Sequence, residues 1–321
     1  MRRHPKSDSH FVIYSEAFLD VIGHDPGYET IPDINAHEGP VYVRDENAVY
    51  FTTVPVTTNI PSFGDRNVAI KRLDVASGKV STFVAESNMA NGMTLDRKGR
   101  LLICEQGSLE TAARISRMNL KTKKTETVVD HWFGLPFNSP NDIVEKSDGT
   151  IWFTDPAYGA LQGFRPKPLV GDFVYRYDPT DDSIAVVVDT FKKPNGLCFS
   201  PDESILYVND SGAIEGPGTY YINLPHHIRA FDVADGSHLV NERLFAVVTP
   251  VIPDGLKVDS QGRVYSSSGT GVQVFDTTGK ILGEILAGGV ANFCFGGESN
   301  NRLFMMCDSA INIATIAATG I

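Results

Sequence analysis

Six polar residues recur along the chain, each just ahead of an apolar run of strand-like residues. They are Glu38 in HEGPVY, Asn91 in MANGMTL, Asn141 in SPNDIVE, Asn195 in KPNGLCF, Asp254 in IPDGLKV and Asn292 in VANFCFG. Taken singly, an Asn-Gly or Asp-Gly step indicates only a turn. Six such positions in phase, two of them carboxylates, instead indicate side chains that meet at one buried point and need a common partner.

The chemistry of these side chains favours a hard cation. They offer carboxylate and amide oxygens, with no cysteine and no paired histidines among them. Oxygen donors of this kind are typical of Ca²⁺ sites. The sequence therefore predicts a site for one divalent cation, with Ca²⁺ best matched and Mg²⁺, Mn²⁺ or Zn²⁺ as alternatives.

The elements that must position these residues follow from an internal repeat. A strand, a polar turn and a second strand recur in RDENAVYFTTVP, LDRKGRLLICEQG, EKSDGTIWFTDPAYG, SPDESILYVNDSG, VDSQGRVYSSSGTG and GGESNNRLFMMCDSA. A second hairpin follows five of them, as in VYRYDPTDDSIAVVV. Units of roughly 50 residues with four strands are the size of propeller blades. We therefore predict an all-β, six-bladed β-propeller with four antiparallel strands per blade, in which the start of each inner strand converges on the central axis.

The ends of the chain must complete the sixth blade. After its first hairpin only INIATIAATGI remains, so HFVIYSEAFLDVIG, from His10, is expected to supply the outer strand and close the ring. We expect residues 1–321 to form a single domain, with 1–9 as a flexible tail. The segment VIGHDPGYETIPDINAH, from Val21, is interpreted as a loop. Three further loops, from about Ile60, Leu161 and Ala213, are expected to form lids over the site.

Composition narrows the classes of partner. The chain carries 28 Lys and Arg against 39 Asp and Glu, a formal charge of −11. Such acidity disfavours binding to nucleic acid or to anionic membranes. The cysteines, Cys104, Cys198, Cys294 and Cys307, lie in apolar runs and are interpreted as reduced core residues. With no signal peptide recognised, a cytoplasmic location is expected.

At the axial residues the sequence resembles the SMP-30/gluconolactonase/LRE family of six-bladed lactonases. SPNDIVEKSDGTIWFTDPAYG, from Ser139, is similar to the gluconolactonase branch, and FVIYSEAFLDVIG with AHEGPVYV is similar to the fungal-type lactonohydrolases. The resemblance implies a divalent cation held by Glu38, Asn195 and Asp254, with Asn141 beside them. It also implies hydrolysis of a small lactone, with Asp254 as the general base. Where the gluconolactonase branch often has CEHG, this chain has CEQG, from Cys104.

Other residues are candidates for contact with the substrate. Asn91, Asn141, Arg114 and Tyr158 are predicted to bind it, and Phe137 or Trp132 could line the mouth. We expect Trp132 and Trp152 to pack between blades. His37 precedes Glu38 and is expected to point away from the channel by strand alternation. His226 and His227 could belong to a lid.

Alternative functions use the same residues differently. A calcium-dependent arylesterase or a phosphotriesterase would act on other esters at the same ion. A non-catalytic calcium-binding or small-molecule-binding propeller would hold the ion without chemistry. A protein-interaction scaffold is disfavoured because WD and kelch signatures are absent and the polar residues face the channel. A serine hydrolase is disfavoured because no GxSxG is present.

Overall fold

The described residues form a ring of six antiparallel sheets, each with four blade strands and one extended by two N-terminal strands, which confirms the predicted six-bladed β-propeller. The structure, a computed structural model, describes residues 2–3, 10–57, 66–216 and 218–321. The predicted lid from about Ile60 therefore lies outside the described residues, as does most of the predicted tail. Within that tail, Arg2–Arg3 is described as a short strand.

Each blade runs from an inner strand at the axis to an outer strand at the rim. In that order, blade one is Glu38–Val43, Ala48–Thr52, Ile70–Asp74 and Val80–Val84; blade two is Ala90–Leu95, Leu101–Glu105, Arg114–Met118 and Thr125–Val129; blade three is Ile143–Glu145, Ile151–Asp155, Phe173–Asp178 and Ser183–Val188. Blade four is Pro194–Phe199, Ile205–Asp210, His227–Ala234 and His238–Val247; blade five is Leu256–Val258, Val264–Ser267, Gly271–Phe275 and Ile281–Leu286; blade six is Asn292–Gly296, Arg302–Met306, Asp308–Thr315 and Gly27–Ala36.

An N-terminal strand closes the ring, but it is not the one predicted. Gly27–Ala36, interpreted from the sequence as a loop, is the outer strand of blade six. Phe11–Ile13 pairs instead with Ile281–Leu286 and adds an edge strand to blade five. Pro32 made the closing segment resemble a loop, yet proline is tolerated on an edge strand, where one row of N–H groups has no partner.

Few regular elements of the described chain lie outside the blades. Two ribbons pair Val56–Thr57 with Arg66–Asn67 and His131–Trp132 with Leu135–Pro136. The helices are short: 3₁₀ turns at Glu16–Phe18 and Arg44–Glu46, and α-helices at Leu19–Ile22 and Tyr158–Leu161. None of these helices has the length and hydrophobicity required to cross a bilayer.

The hydrophobic core is divided among the interfaces between neighbouring blades. Along the second strand of blade two, Leu101 and Ile103 pack toward blade one, whereas Leu102 and Cys104 pack toward blade three. Alternate residues thus face opposite neighbours, which is why these strands read as continuous apolar runs. All four cysteines are buried and free, as the sequence predicted. The packing holds the blades at fixed positions about the axis.

Candidate metal and substrate site

A cavity of about 160 Å³ opens at one mouth of the central channel. The structure brings six of the seven predicted site residues to its wall: Glu38, Asn91, Asn141, Tyr158, Asn195 and Asp254. Five blades contribute these side chains, although the residues are far apart in the sequence. The seventh predicted residue, Arg114, lies elsewhere.

Local irregularities at the start of the inner strands direct these side chains to the axis. The pairing register shifts between Glu38 and Val41 in blade one, and blades two and four show the same kind of shift after Ala90 and after Pro194. A bulge of this type re-aims a side chain that regular alternation would place on a blade face. In these three blades the bulge therefore explains why the polar residue at the strand start reaches the channel.

The glycines after the polar residues have a structural role that differs from a turn. A Cβ at Gly92 would lie 2.4 Å from the carbonyl oxygen of Asn141, and one at Gly196 would lie 2.2 Å from that of Asp254. The N–H groups of Gly92 and Gly196 donate to these same oxygens, at 2.7 and 3.0 Å. Adjacent blades thus touch backbone to backbone at the axis, and only glycine allows that approach.

Second-strand side chains also hold backbone carbonyl groups of the next blade. Thr154 Oγ1 donates to the carbonyl of Asn195 at 2.9 Å, and Asn209 Nδ2 donates to that of Asp254 at 2.8 Å. Asn195 and Asp254 are therefore held both by their own segment and by the preceding blade. This double attachment pre-organises the cavity wall before any ligand arrives.

The Asp residue of the FTDP segment orients the loop that carries Asn141. Asp155 Oδ2 accepts the N–H of Asn138 at 2.8 Å, and Oδ1 accepts that of Ser139 at 2.7 Å. From the Leu161 loop, Arg165 Nε donates to the carbonyl of Asn138 at 2.9 Å. These buried bonds satisfy the polar backbone groups of the loop that precedes Asn141.

Two carboxylates with a strong mutual interaction dominate the electrostatics. Burial raises the pKa of Asp254 well above its usual range, and the charge of Glu38 and a hydrogen bond with Glu38 raise it further. Glu38 is buried, and its Oε2 accepts the Gly39 N–H at 3.1 Å and Asn292 Nδ2 at 2.8 Å. Two adjacent carboxylates are costly to ionise together unless a cation lies between them.

The residues present fit a hard divalent cation. Beside the two carboxylates, Asn141 Oδ1 is buried and has no hydrogen-bond partner within the described part of the chain. Asn195 hydrogen-bonds with Asp254. The described residues contain no cluster of three or more His, Cys, Asp and Glu suited to a metal, so a cation here relies on amide oxygens as well as carboxylates. That donor set matches Ca²⁺ best.

Asn91 and Tyr158 lie on the wall beside the predicted ligands. Asn91 Nδ2 donates to the carbonyl of Asn141 at 3.3 Å. Burial raises the pKa of the Tyr158 phenol, and the nearby charge of Asp254 raises it further, so the hydroxyl stays protonated and can donate. Both positions are consistent with contact to a small ligand in the cavity.

Arg114 is not part of this wall. Its Nε donates to Glu105 Oε2 at 2.7 Å, in a separate groove near the second and third strands of blade two. Glu105 is buried and holds the guanidinium there. The structure therefore does not bring Arg114 to the other predicted substrate-binding residues.

His37 was expected to leave the channel, but it lines the cavity. The expectation was wrong because His37 precedes the bulged start of the strand, where regular alternation does not apply. Its Nδ1 lies 2.6 Å from Asp308 Oδ1. Burial lowers the imidazole pKa, but the hydrogen bond to Asp308 and the charges of Glu38 and Asp308 outweigh burial and raise it.

The other aromatic and histidine candidates do not line the cavity. Phe137 is buried against Phe153 and Tyr175, so it is a core residue and not part of the mouth. Trp132 packs edge-on against Phe173, and Trp152 is fully buried, as predicted for both. His226 and His227 are absent from the described cavity wall; His226 Nδ1 lies 2.7 Å from the carbonyl of Val248.

Several wall residues were not selected from the sequence as site residues. They are Thr53, Pro55, Val68, Gln106, Gln162, Ile214 and Ile252. Gln106 carried a signal, since it stands where the gluconolactonase branch often has histidine. Gln162 and Ile214 belong to the two predicted lid loops that are described. The remaining residues follow strands or loops with no distinctive spacing.

Comparisons with known proteins show which family the chain is similar to. Residues 36–308 match the SMP-30/gluconolactonase/LRE-like region as a family. The gluconolactonase of Zymomonas mobilis is 29% identical over 85% of this chain and 76% of that protein. Lactonohydrolase oryH of Aspergillus oryzae is 27% identical over 94% of this chain and 79% of that protein.

A solved structure extends the agreement to the whole fold. The gluconolactonase of Xanthomonas campestris superposes with a TM-score of 0.77 and 33% identity, covering 95% of this chain and 94% of that one. Three observations support the same family: the shared propeller fold, the in-phase set of axial polar residues and the family match over most of the length. The chain is thus a member of the SMP-30/gluconolactonase/LRE-like family.

Proposed function

We propose that this chain hydrolyses a small lactone to its hydroxy acid in the axial cavity, using one divalent cation. The observation that carries the proposal is the convergence of Glu38 and Asp254 with the unpartnered Oδ1 of Asn141 on one cavity. The relatives named gluconolactonase and lactonohydrolase support ring-opening of a cyclic ester as the reaction.

The proposed cation is held by Glu38, Asn141, Asn195 and Asp254, and Ca²⁺ is the ion that this donor set suits best. When bound, such an ion supplies a Lewis-acid charge beside the lactone carbonyl. Without a positive charge at this point, Glu38 and Asp254 would be costly to ionise together. The ion thus has both a structural and a chemical reason to be there.

The protein's own groups supply the proton transfer and the orientation. Asp254 is the proposed general base, which accepts a proton from the attacking water. Asn91 and the protonated Tyr158 line the cavity and are proposed to donate hydrogen bonds to the lactone, which would orient its carbonyl toward the attacking water. Positioning of this kind lowers the entropic part of the barrier.

The substrate we propose is a sugar or aldonate lactone such as gluconolactone, or pantolactone. The cavity of about 160 Å³ is small, and nine of its fourteen described wall residues carry an amide, hydroxyl or carboxylate group. A compact hydroxylated ring offers matching hydrogen-bonding groups. Bulky aromatic esters would need a larger and more apolar cavity.

The test is to follow acid release from D-glucono-δ-lactone, D-pantolactone and phenyl acetate, each with Ca²⁺ and with EDTA. The proposal expects turnover of a lactone that EDTA abolishes and that Ca²⁺ restores. Fast hydrolysis of phenyl acetate without lactone turnover would indicate an arylesterase. Absence of turnover on every ester, with Ca²⁺ still raising the melting temperature, would indicate a binding protein.

A further inference from the structure

Lys257 lies in the central channel, where it lines a second cavity and is not among the described wall residues of the proposed cation site, and the mechanism does not use it. It belongs to the inner strand Leu256–Val258 of blade five. Its Nζ donates to the carbonyl of Leu256 at 3.0 Å and to Asn292 Oδ1 at 3.5 Å, and it lies 4.0 Å from Asp142 Oδ2. Asn292 and Asp142 belong to blades six and three, so the ammonium stands where these blades meet at the axis.

Asp142 depends on this ammonium. Its side chain is buried, and Oδ2 has no hydrogen-bond partner anywhere in the described ranges. The other oxygen accepts the N–H of Ile143 at 2.9 Å. A buried carboxylate oxygen without a hydrogen bond carries a large desolvation cost, which a nearby positive charge reduces. Lys257 is the group that provides that charge.

Three carboxylates share the channel. Glu38 and Asp254 line the cavity, and Asp142 directly follows the cavity residue Asn141 in the sequence. The nearby His37 is matched by its own partner, Asp308, and adds no net charge when both are ionised.

We propose that Lys257 is the built-in counter-charge of the channel, which together with one divalent cation balances Glu38, Asp142 and Asp254. The inference rests on the proposed metal site and goes beyond it. It gives Lys257, which is not a ligand, a role in determining the charge and the number of the ions that bind. Three carboxylates and one ammonium carry a net charge of −2, which a single divalent cation neutralises.

Lys257 also connects to a proposed ligand through Asn292. Asn292 Oδ1 accepts the Phe293 N–H at 2.8 Å and faces Lys257, which leaves Nδ2 to donate to Glu38 Oε2 at 2.8 Å. A purely positional role would therefore make Lys257→Met weaken cation binding. A counter-charge role makes the opposite prediction, since removal of the ammonium also removes its repulsion of the cation.

The experiment is calorimetric titration of Ca²⁺ into metal-free protein and four variants. Lys257→Met should bind Ca²⁺ about tenfold more tightly, because it removes a positive charge from the channel that holds the ion. Asp142→Asn should bind Ca²⁺ about tenfold more weakly, because it removes a negative charge from the same channel. The double variant should return to within about threefold of the wild-type Kd, since the two charges cancel. Lys257→Arg should bind like the wild type. Weaker binding by Lys257→Met, or a double variant no closer to wild type than the single ones, would overturn the proposal.

Melting of the metal-free proteins gives an independent readout. Lys146→Met is the matched control, because Lys146 pairs with Asp148 and Glu203 away from the site. Lys257→Met should lower the melting temperature by more than this control, and Asp142→Asn added to it should recover most of the loss. If the wild type bound no cation, the proposed function would fail. The counter-charge role would then depend on this comparison, and equal losses in Lys257→Met and Lys146→Met would refute it.

Discussion

Gly196 tests how closely the blades approach at the axis. In Gly196→Ala the new Cβ would lie 2.2 Å from the carbonyl oxygen of Asp254, 2.9 Å from the nitrogen of Leu256 and 3.1 Å from the carbonyl carbon of Gly255. All three atoms are backbone, so no side-chain rotation can relieve the contact. Blades four and five must therefore separate locally by roughly 1 Å to restore ordinary van der Waals distance.

The cost has two parts. Overpacking of this kind costs about 1–3 kcal/mol, and loss of the Gly196 N–H bond to the Asp254 carbonyl costs about 1 kcal/mol more. The melting temperature should fall by roughly 3–6 °C, because a domain of this length shifts by about 1.5 °C per kcal/mol. Lactonase kcat/KM should fall by about 100-fold, because the shift displaces Asn195 and Asp254 relative to each other.

The assay combines thermal unfolding with lactone turnover, and Gly288→Ala is the control. Gly288 is exposed, and a Cβ there would meet no atom within 4 Å. Gly288→Ala should leave both measurements unchanged. A Gly196→Ala variant with the stability and turnover of the wild type would refute the contact described here and the role assigned to the glycine.

Three further predictions follow from individual side chains. Asp254→Asn should lower lactonase kcat by about 10²–10⁴-fold, whereas Asp189→Asn, at an exposed carboxylate, should not change it. Arg114→Met should leave KM for the lactone within about twofold of the wild type, because Arg114 lies in a separate groove. Hydrogen bonds from two serine hydroxyls lower the pKa of Asp202 to about 2. That carboxylate therefore adds stability above about pH 4 that is lost as the pH falls toward 2. Unfolding of Asp202→Asn should show a shallower decline over that range, by at most about 1 kcal/mol because the group is exposed.

Each of these predictions has a contrary result. Full turnover by Asp254→Asn would assign the general base to another group. A KM that rises tenfold in Arg114→Met would show that the Arg114 groove takes part in substrate binding. Identical pH dependence of unfolding in Asp202→Asn and the wild type would mean that the serine hydroxyls do not hold the carboxylate.

The sequence predicted the fold and the place of the axial residues because both depend on spacing. Repeats of hairpins specify blades, and in-phase polar positions at the start of inner strands must converge once the ring closes. Glu38 and Asp254 could thus be placed at one point although they lie far apart in the chain.

The features that the sequence analysis missed do not follow from the repeat. The closing strand Gly27–Ala36 contains Gly and Pro, which are typical of loops, and its pairing with blade six is a long-range event. His37 reaches the cavity through a local bulge. Arg114 is held away from the cavity by its hydrogen bond to the buried carboxylate of Glu105, whose orientation follows from packing in blade two.

Gly92 and Gly196 show that the sequence can reveal a motif without revealing its full structural cause. Asn-Gly and Asp-Gly suggested turns when read singly, yet Gly92 and Gly196 lie at the start of inner strands and allow neighbouring backbones to touch. The sequence shows that the residue is glycine, but it does not show which atom a larger side chain would contact. That atom belongs to the next blade and is brought near only by closure of the ring.

The most direct test of the account is a crystal structure of the protein grown with Ca²⁺. We expect one ion in the axial cavity, within about 2.3–2.6 Å of oxygens from Glu38, Asn141, Asn195 and Asp254. An ion bound elsewhere, or Glu38 and Asp254 hydrogen-bonded to each other with no ion at saturating Ca²⁺, would contradict it.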